Sequence, residues 1–102
     1  MGHARRRPLR LAEKLLQIRT TFGISQTEMH KRLDVGDEIL YTRISDYELD
    51  KSEPTLTILL CYARVAGVPT EVLIDDELEL PAKLPGPTDH EEIRRKFSSR
   101  RK

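Results

Sequence analysis

Phe22-Gly23-Ile24-Ser25-Gln26-Thr27-Glu28-Met29, taken up again at Ile44-Ser45-Asp46-Tyr47-Glu48, holds the corner around which this chain turns. Gly23 can take the left-handed conformation that closes a preceding helix. Ser25 can cap the next helix by accepting a bond from a free backbone N–H. Glu28, three residues on, can reach back to the Ser25 amide and complete a capping box; Ile24 and Met29 stand where a hydrophobic staple stands. One helix therefore ends near Phe22 and another begins at Gln26.

Upstream, Leu11, Leu15, Ile18 and Phe22 recur at i, i+4, i+7 and i+11 and predict a helix over 9–22, with Leu16 off its buried face. Downstream, a short helix over 26–33 turns Met29 and Leu33 inward. Thr55 is placed to cap a helix over 56–66 that ends at Gly67. That helix carries two apolar stripes: Leu56, Leu59, Leu60 and Ala63, then Ile58, Cys61, Tyr62 and Val65. A helix apolar on two faces is covered twice. One stripe packs on its own domain, which leaves Ile58, Cys61, Tyr62 and Val65 for a second subunit or the C-terminal segment. A short helix follows over 71–74, capped by Thr70. Leu78, Leu80 and Leu84 then recur at even spacing around Pro81, the pattern of an extended segment laid on a surface. Pro85-Gly86-Pro87 is a linker. Thr88 and Glu91 match a second capping box, with Ile93 and Phe97 to anchor a short helix over 88–97.

The chain has 102 residues, enough for one small domain. With one cysteine, Cys61, it can form no internal disulfide and no cysteine-based metal site. No apolar run approaches the ~18 residues of a membrane helix. The charged start has no apolar region behind it, so it does not read as a secretory signal. These features fit the cytoplasm. The net charge of +1 is unevenly spread: Arg5, Arg6, Arg7 and Arg10 put +4 at the front, and Arg94, Arg95, Lys96, Arg100, Arg101 and Lys102 put +6 at the back, which leaves −9 on residues 11–93. The ends are either arms that track phosphates or ordinary solubilising ends. The domain reading is a flexible basic arm over 1–8, a helical domain over 9–76, and an extended segment with a basic tail over 77–102.

Five blocks share one order and spacing: Leu15-Leu16-Gln17-Ile18-Arg19, Gly23-Ile24-Ser25-Gln26, Ile44-Ser45-Asp46-Tyr47-Glu48, Glu53-Pro54-Thr55-Leu56 and Ala66-Gly67-Val68. Together they resemble the helix-turn-helix domain of the XRE (Cro/C1-type, phage-repressor-like) DNA-binding family, over residues 9–76. The resemblance implies an all-α, five-helix domain with an extended, mostly irregular C-terminal tail. The chain departs from the family pattern at His30, where a small residue is usual, and at Asp34, where glycine is usual. It also has four extra residues between 35 and 44. Four residues are about one helical turn, so they read as a longer front to helix 3, capped by Gly36 or Asp37, with Leu40, Ile44 and Tyr47 inward. The alternative is a loop, with helix 3 starting near Leu40.

The resemblance also assigns roles. Helix 3 would enter the major groove. Base contacts would come from the positions of Tyr41, Thr42 and Asp46, with Ser45 on the same outward face. Asp46 would accept from a cytosine amine or orient Arg43. Gln26 at the start of helix 2 would bind a phosphate, because helix N-termini attract anions. Arg43 and Lys51 are further candidate phosphate contacts, and Thr55 would bring helix 4 to another. Arg19 and Glu48 would form an internal, structural ion pair. Catalysis is not indicated. His3, His30 and His90 are scattered, no glycine-rich phosphate loop follows a strand, and no cofactor or metal is implied. Two functions follow. One is a DNA-binding transcriptional regulator, most simply a repressor, acting as a homodimer on double-stranded DNA. The other is a protein-interaction module, such as an antitoxin or accessory factor, binding its partner through helix 4 or the C-terminal segment.

Overall fold

A computed structural model describes residues 7–87. Residues 1–6, and the helix anticipated over 88–97, lie outside them. The described residues form five α-helices and no strand: α1 (Leu11–Phe22), α2 (Gln26–Leu33), α3 (Thr42–Glu48), α4 (Leu56–Ala66) and α5 (Thr70–Ile74). α1 packs on α3 and α5, α2 packs on α3 and α4, and α4 packs on α5, so the helices close around one core. Leu15, Ile18, Met29, Ile44, Tyr62, Ala63, Ala66 and Leu73 are its most enclosed members.

The corner after α1 is built by backbone conformation. Gly23 sits at φ 68 and its N–H donates to the Thr20 carbonyl, while the Ile24 N–H donates to Arg19. Ser25 Oγ accepts the Glu28 N–H at 3.0 Å. The return half of the capping box is not made. Glu28 instead meets Arg32 one turn on, at 3.5 Å, and Arg32 also lies over the Phe22 ring, 5.6 Å from its centre. An exposed i, i+4 ion pair adds only ~0.3–0.5 kcal/mol, so the Ser25 cap is the stronger local signal.

The extra residues between α2 and α3 do not lengthen α3. Asp34 adopts φ 58 and Gly36 φ 58, both left-handed and incompatible with a continuing right-handed helix. A single 3₁₀ turn follows at Gly36–Glu38, then Ile39 is extended and packs against the core. His30, where the family prefers a small residue, uses the space: its Nε2–H donates to the Ile39 carbonyl at 2.8 Å. α3 therefore begins at Thr42, as in the loop alternative. Leu40 is 71% exposed, not inward, because Ile39 has taken the place nearest the core.

α4 buries a different set from the one anticipated. Thr55 Oγ1 accepts the Ile58 N–H at 3.3 Å and starts the helix. Ile58, Leu59, Tyr62, Ala63 and Val65 all turn into the core, whereas Leu56 is 81% exposed and Leu60 38%. The outer face carries Thr57, Leu60, Cys61 and Arg64. Tyr62 is fully enclosed, and its hydroxyl has no hydrogen-bond partner among the described residues. Burial pushes that phenol well above the ordinary tyrosine range. A buried, unpaired hydroxyl is a net cost that its removal relieves. Tyr62→Phe is therefore expected to leave stability unchanged or raise it by up to about 1 kcal/mol. Thermal unfolding checks this; a drop of that size would reveal a partner for the hydroxyl.

After α4, Gly67 at φ 78 reverses the chain. Thr70 opens α5, and Pro69 holds the N-cap position anticipated for Thr70. Residues 77–87 then fold back. Leu80 is buried, Leu84 packs against the core, and the Gly86 N–H donates to the Ala66 carbonyl at 3.0 Å. The return is so close that a Cβ on Gly67 would collide with the Gly86 carbonyl. The segment thus belongs to the folded unit, with Leu78 at its margin.

Candidate nucleic-acid interface

α3 is held from one side only. Ile44 and Tyr47 are buried in the core, and burial raises the Tyr47 phenol. Glu48, with a side chain 4% exposed, is the polar anchor. Its Oε2 accepts from Arg19 Nε at 2.6 Å and its Oε1 from Arg19 Nη2 at 3.0 Å. Oε1 also accepts from Gln26 Nε2 at 3.1 Å. Arg19 Nη1 donates to the Ile24 carbonyl at 3.0 Å. One carboxylate thus ties together the last turn of α1, the corner, the first residue of α2 and the end of α3. The pair pushes the Arg19 guanidinium further toward its charged form. Gln26 keeps its amide oxygen and a second amide hydrogen for another partner.

The other side of α3 faces outward. Tyr41 is 53% exposed. Thr42 and Arg43 are exposed, and Ser45 and Asp46 are half-buried. Arg43 Nη1 lies 3.6 Å from Asp46 Oδ2, so Asp46 orients Arg43 one turn away. In front of α3 lies an open groove of about 380 Å³, lined by Asp37, Glu38, Ile39, Leu40, Thr42, Arg43 and Asp46. The extra residues thus place two carboxylates beside the outward face. Lys51 is exposed in the loop after α3, where its N–H donates to the Asp46 carbonyl at 2.8 Å. Thr55 is also exposed, but its hydroxyl is engaged as the α4 cap and with Thr57 Oγ1 at 3.1 Å.

Arg7 and Arg10 do not stand free. Arg7 Nη2 meets Asp50 at 3.1 Å. Arg10 donates to Glu79 through Nη1 at 3.0 Å and Nη2 at 2.8 Å, and to Glu13 through Nε at 3.0 Å. These bonds push Arg10 up and hold Glu79 below the usual carboxylate range. Asp76 accepts the Leu9 N–H at 2.9 Å and the Arg10 N–H at 3.0 Å, and those two bonds hold its carboxyl low. Asp76 thereby ties down the two residues in front of α1, which starts at Leu11 although 9–22 was anticipated. Lys14 is fully buried, its Nζ donating to the Val72 and Asp75 carbonyls at 2.8 Å each. Sequence reading missed Arg10, Lys14, Asp76 and Glu79 as partners. Lys14 lies one residue before Leu15 on the buried side of α1, the only hint the pattern held.

Ile58, Tyr62 and Val65, anticipated as a subunit or tail interface, are buried within the single chain, in one cluster with Leu80 of the C-terminal segment, against which Leu84 packs. The fourth member, Cys61, is half-buried, and burial pushes its thiol up, away from the reactive thiolate. Among the described residues no group of three or more His, Cys, Asp or Glu side chains is placed to hold a metal ion. Among them, too, no helix is long and apolar enough to cross a membrane. Compared with family models, curated proteins and solved structures, the chain matches none of them, so its own side chains carry the functional reading.

Proposed function

We propose that this chain is a sequence-specific DNA-binding transcriptional regulator, a repressor of the phage-repressor-like helix-turn-helix kind, with α3 as its reading helix. The supporting observation is the one-sided anchoring of α3. Ile44, Tyr47 and Glu48 hold it, while Thr42, Arg43, Ser45 and Asp46 are presented outward. An α-helix fits the major groove, and a threonine there meets base edges or a thymine methyl. Arg43 and Lys51 would contact phosphates, which supply most of the affinity. Gln26, already fixed on Glu48, would bring the start of α2 to the backbone. A homodimer would read two half-sites about one helical turn apart. Its surface would be the outer side of α4 around Leu60 and Cys61, since Ile58, Leu59, Tyr62, Ala63 and Val65 are internal.

A second reading is favoured by the groove in front of α3. Asp37 and Glu38 repel phosphate, and Leu40 and Tyr41 are 71% and 53% exposed, a surface suited to a protein partner. Fluorescence anisotropy separates the two, using a labelled duplex from the DNA flanking the chain's own gene and a scrambled control. Tight binding to the flanking duplex alone supports the regulator. Thr42→Ala is then expected to weaken that complex by ~1–3 kcal/mol while leaving the control unchanged. Absence of binding to either duplex at low salt overturns the regulator and favours the interaction module.

A further inference from the structure

An apolar groove of about 450 Å³ opens where the start of α1, the start of α4 and the end of α5 meet. Its walls include Leu11, Pro54, Leu56, Leu59 and Ile74. Leu56 and Ile74 are 81% and 43% exposed, so apolar surface stands open to water. A second groove of about 530 Å³ adjoins it through Pro8 and Ile74; its lining has four carboxylates, Glu71, Asp75, Asp76 and Glu77, against one cation, Arg7, which is paired with Asp50 and Glu53. Glu71 and Glu77 have no ion pair among the described residues. An apolar floor beside an acidic rim fits a segment with apolar anchors and a basic flank.

The chain carries one such segment. Residues 88–102 hold Ile93 and Phe97 four apart, with Arg94, Arg95, Lys96, Arg100, Arg101 and Lys102 between and after them and Asp89, Glu91 and Glu92 before them, which leaves the segment net basic. The reach is sufficient. Gly86 is pinned to Ala66 at the end of α4, and the 11-residue α4 spans about 16 Å back to the groove. The seven residues from Gly86 to Ile93 extend up to ~23 Å. A tether this short holds the segment at an effective concentration in the mM range, above that of any second copy. We propose that residues 88–102 dock in cis on this paired groove, Ile93 and Phe97 on the apolar floor and the basic cluster along the Glu71–Glu77 rim. Docking would cover the exposed leucine and isoleucine and offset the negative charge of the folded body. This inference is independent of the DNA reading, and its test contains no DNA.

The test compares backbone amide spectra of the full chain with those of an Ile93→Ser/Phe97→Ser variant and, reciprocally, a Leu56→Asp variant. Leu56 is exposed, so its replacement leaves the core intact. The tail variant is expected to shift the amides of Leu56, Leu59, Ile74 and Glu77. Leu56→Asp is expected to shift amides of residues 93–97, and both sets of shifts should survive dilution. Shifts confined to the replaced residues' own neighbours would overturn the proposal. Groove shifts that fade on dilution would overturn docking in cis and assign the groove to the tail of a second copy.

Discussion

Glu48→Ala is expected to destabilise the fold by about 3–5 kcal/mol, the usual cost of removing one partner from a buried ion pair. Three bonds end on this carboxylate, two from Arg19 and one from Gln26. Its removal strands a guanidinium whose side chain is only 19% exposed. The stranded charge dominates the loss, and this can be tested directly. Glu48→Leu combined with Arg19→Met should recover most of the stability, because an apolar pair of similar volume is often neutral against a buried ion pair. Urea unfolding decides it through the midpoint, with the slope unchanged if the native state stays as closely packed. A single-variant loss below ~1 kcal/mol would place the pair among ordinary surface bridges. On the proposed function the variant also weakens specific DNA binding, since Glu48 sets how α3 sits on α1 and α2.

Lys14→Met is expected to cost about 2–4 kcal/mol, although methionine keeps most of the stem volume. The ammonium donates to the Val72 and Asp75 carbonyls at 2.8 Å each. Both carbonyls lie in the last turn of α5 or just past it, where a helix leaves its C=O groups without internal partners. Left unsatisfied and away from water, each costs ~1–3 kcal/mol. The removed charge also stops interacting with the negative end of the helix. Against a total stability of ~5–15 kcal/mol for a domain, either variant is a large fraction. The two differ in where the damage falls. Hydrogen exchange of the Lys14 variant should rise first around α5 and residues 75–80, whereas the Glu48 variant should loosen the contact between α1, α2 and α3. Uniform loss of protection in both would mean that the fold opens only as a whole.

Much of the helical framework was readable in residue spacing and caps. Ser25, Thr55, Gly23 and Gly67 act on their own neighbours within four residues, so local sequence contains the whole interaction. The periodicity of Leu11, Leu15 and Ile18 likewise selects one face of a helix without knowledge of its partner. Asp34 takes φ 58 where the resemblance has glycine, since aspartate is among the few residue types besides glycine that tolerate the left-handed region. The four extra residues misled because one turn of helix and one loop contain the same number of residues. Gly36 at a left-handed φ, and His30 holding the Ile39 carbonyl, decided between them.

Sequence by itself determined where helices begin and end at capped corners, and which apolar residues of α1 and α2 go inside. Tertiary structure alone decided which members of the two α4 stripes go inside: Leu59 and Ala63 of one and Ile58, Tyr62 and Val65 of the other are buried, while Leu56 and Leu60 stay exposed and Cys61 half-buried. It alone showed that Asp76 holds the Leu9 and Arg10 amides in front of α1, that Arg10 clasps Glu79, and that a lysine crosses the core side of α1 to reach α5. These contacts join residues 58 to 69 positions apart. No periodicity reports them, because their energy depends on the separation of atoms in space and local spacing carries no record of it.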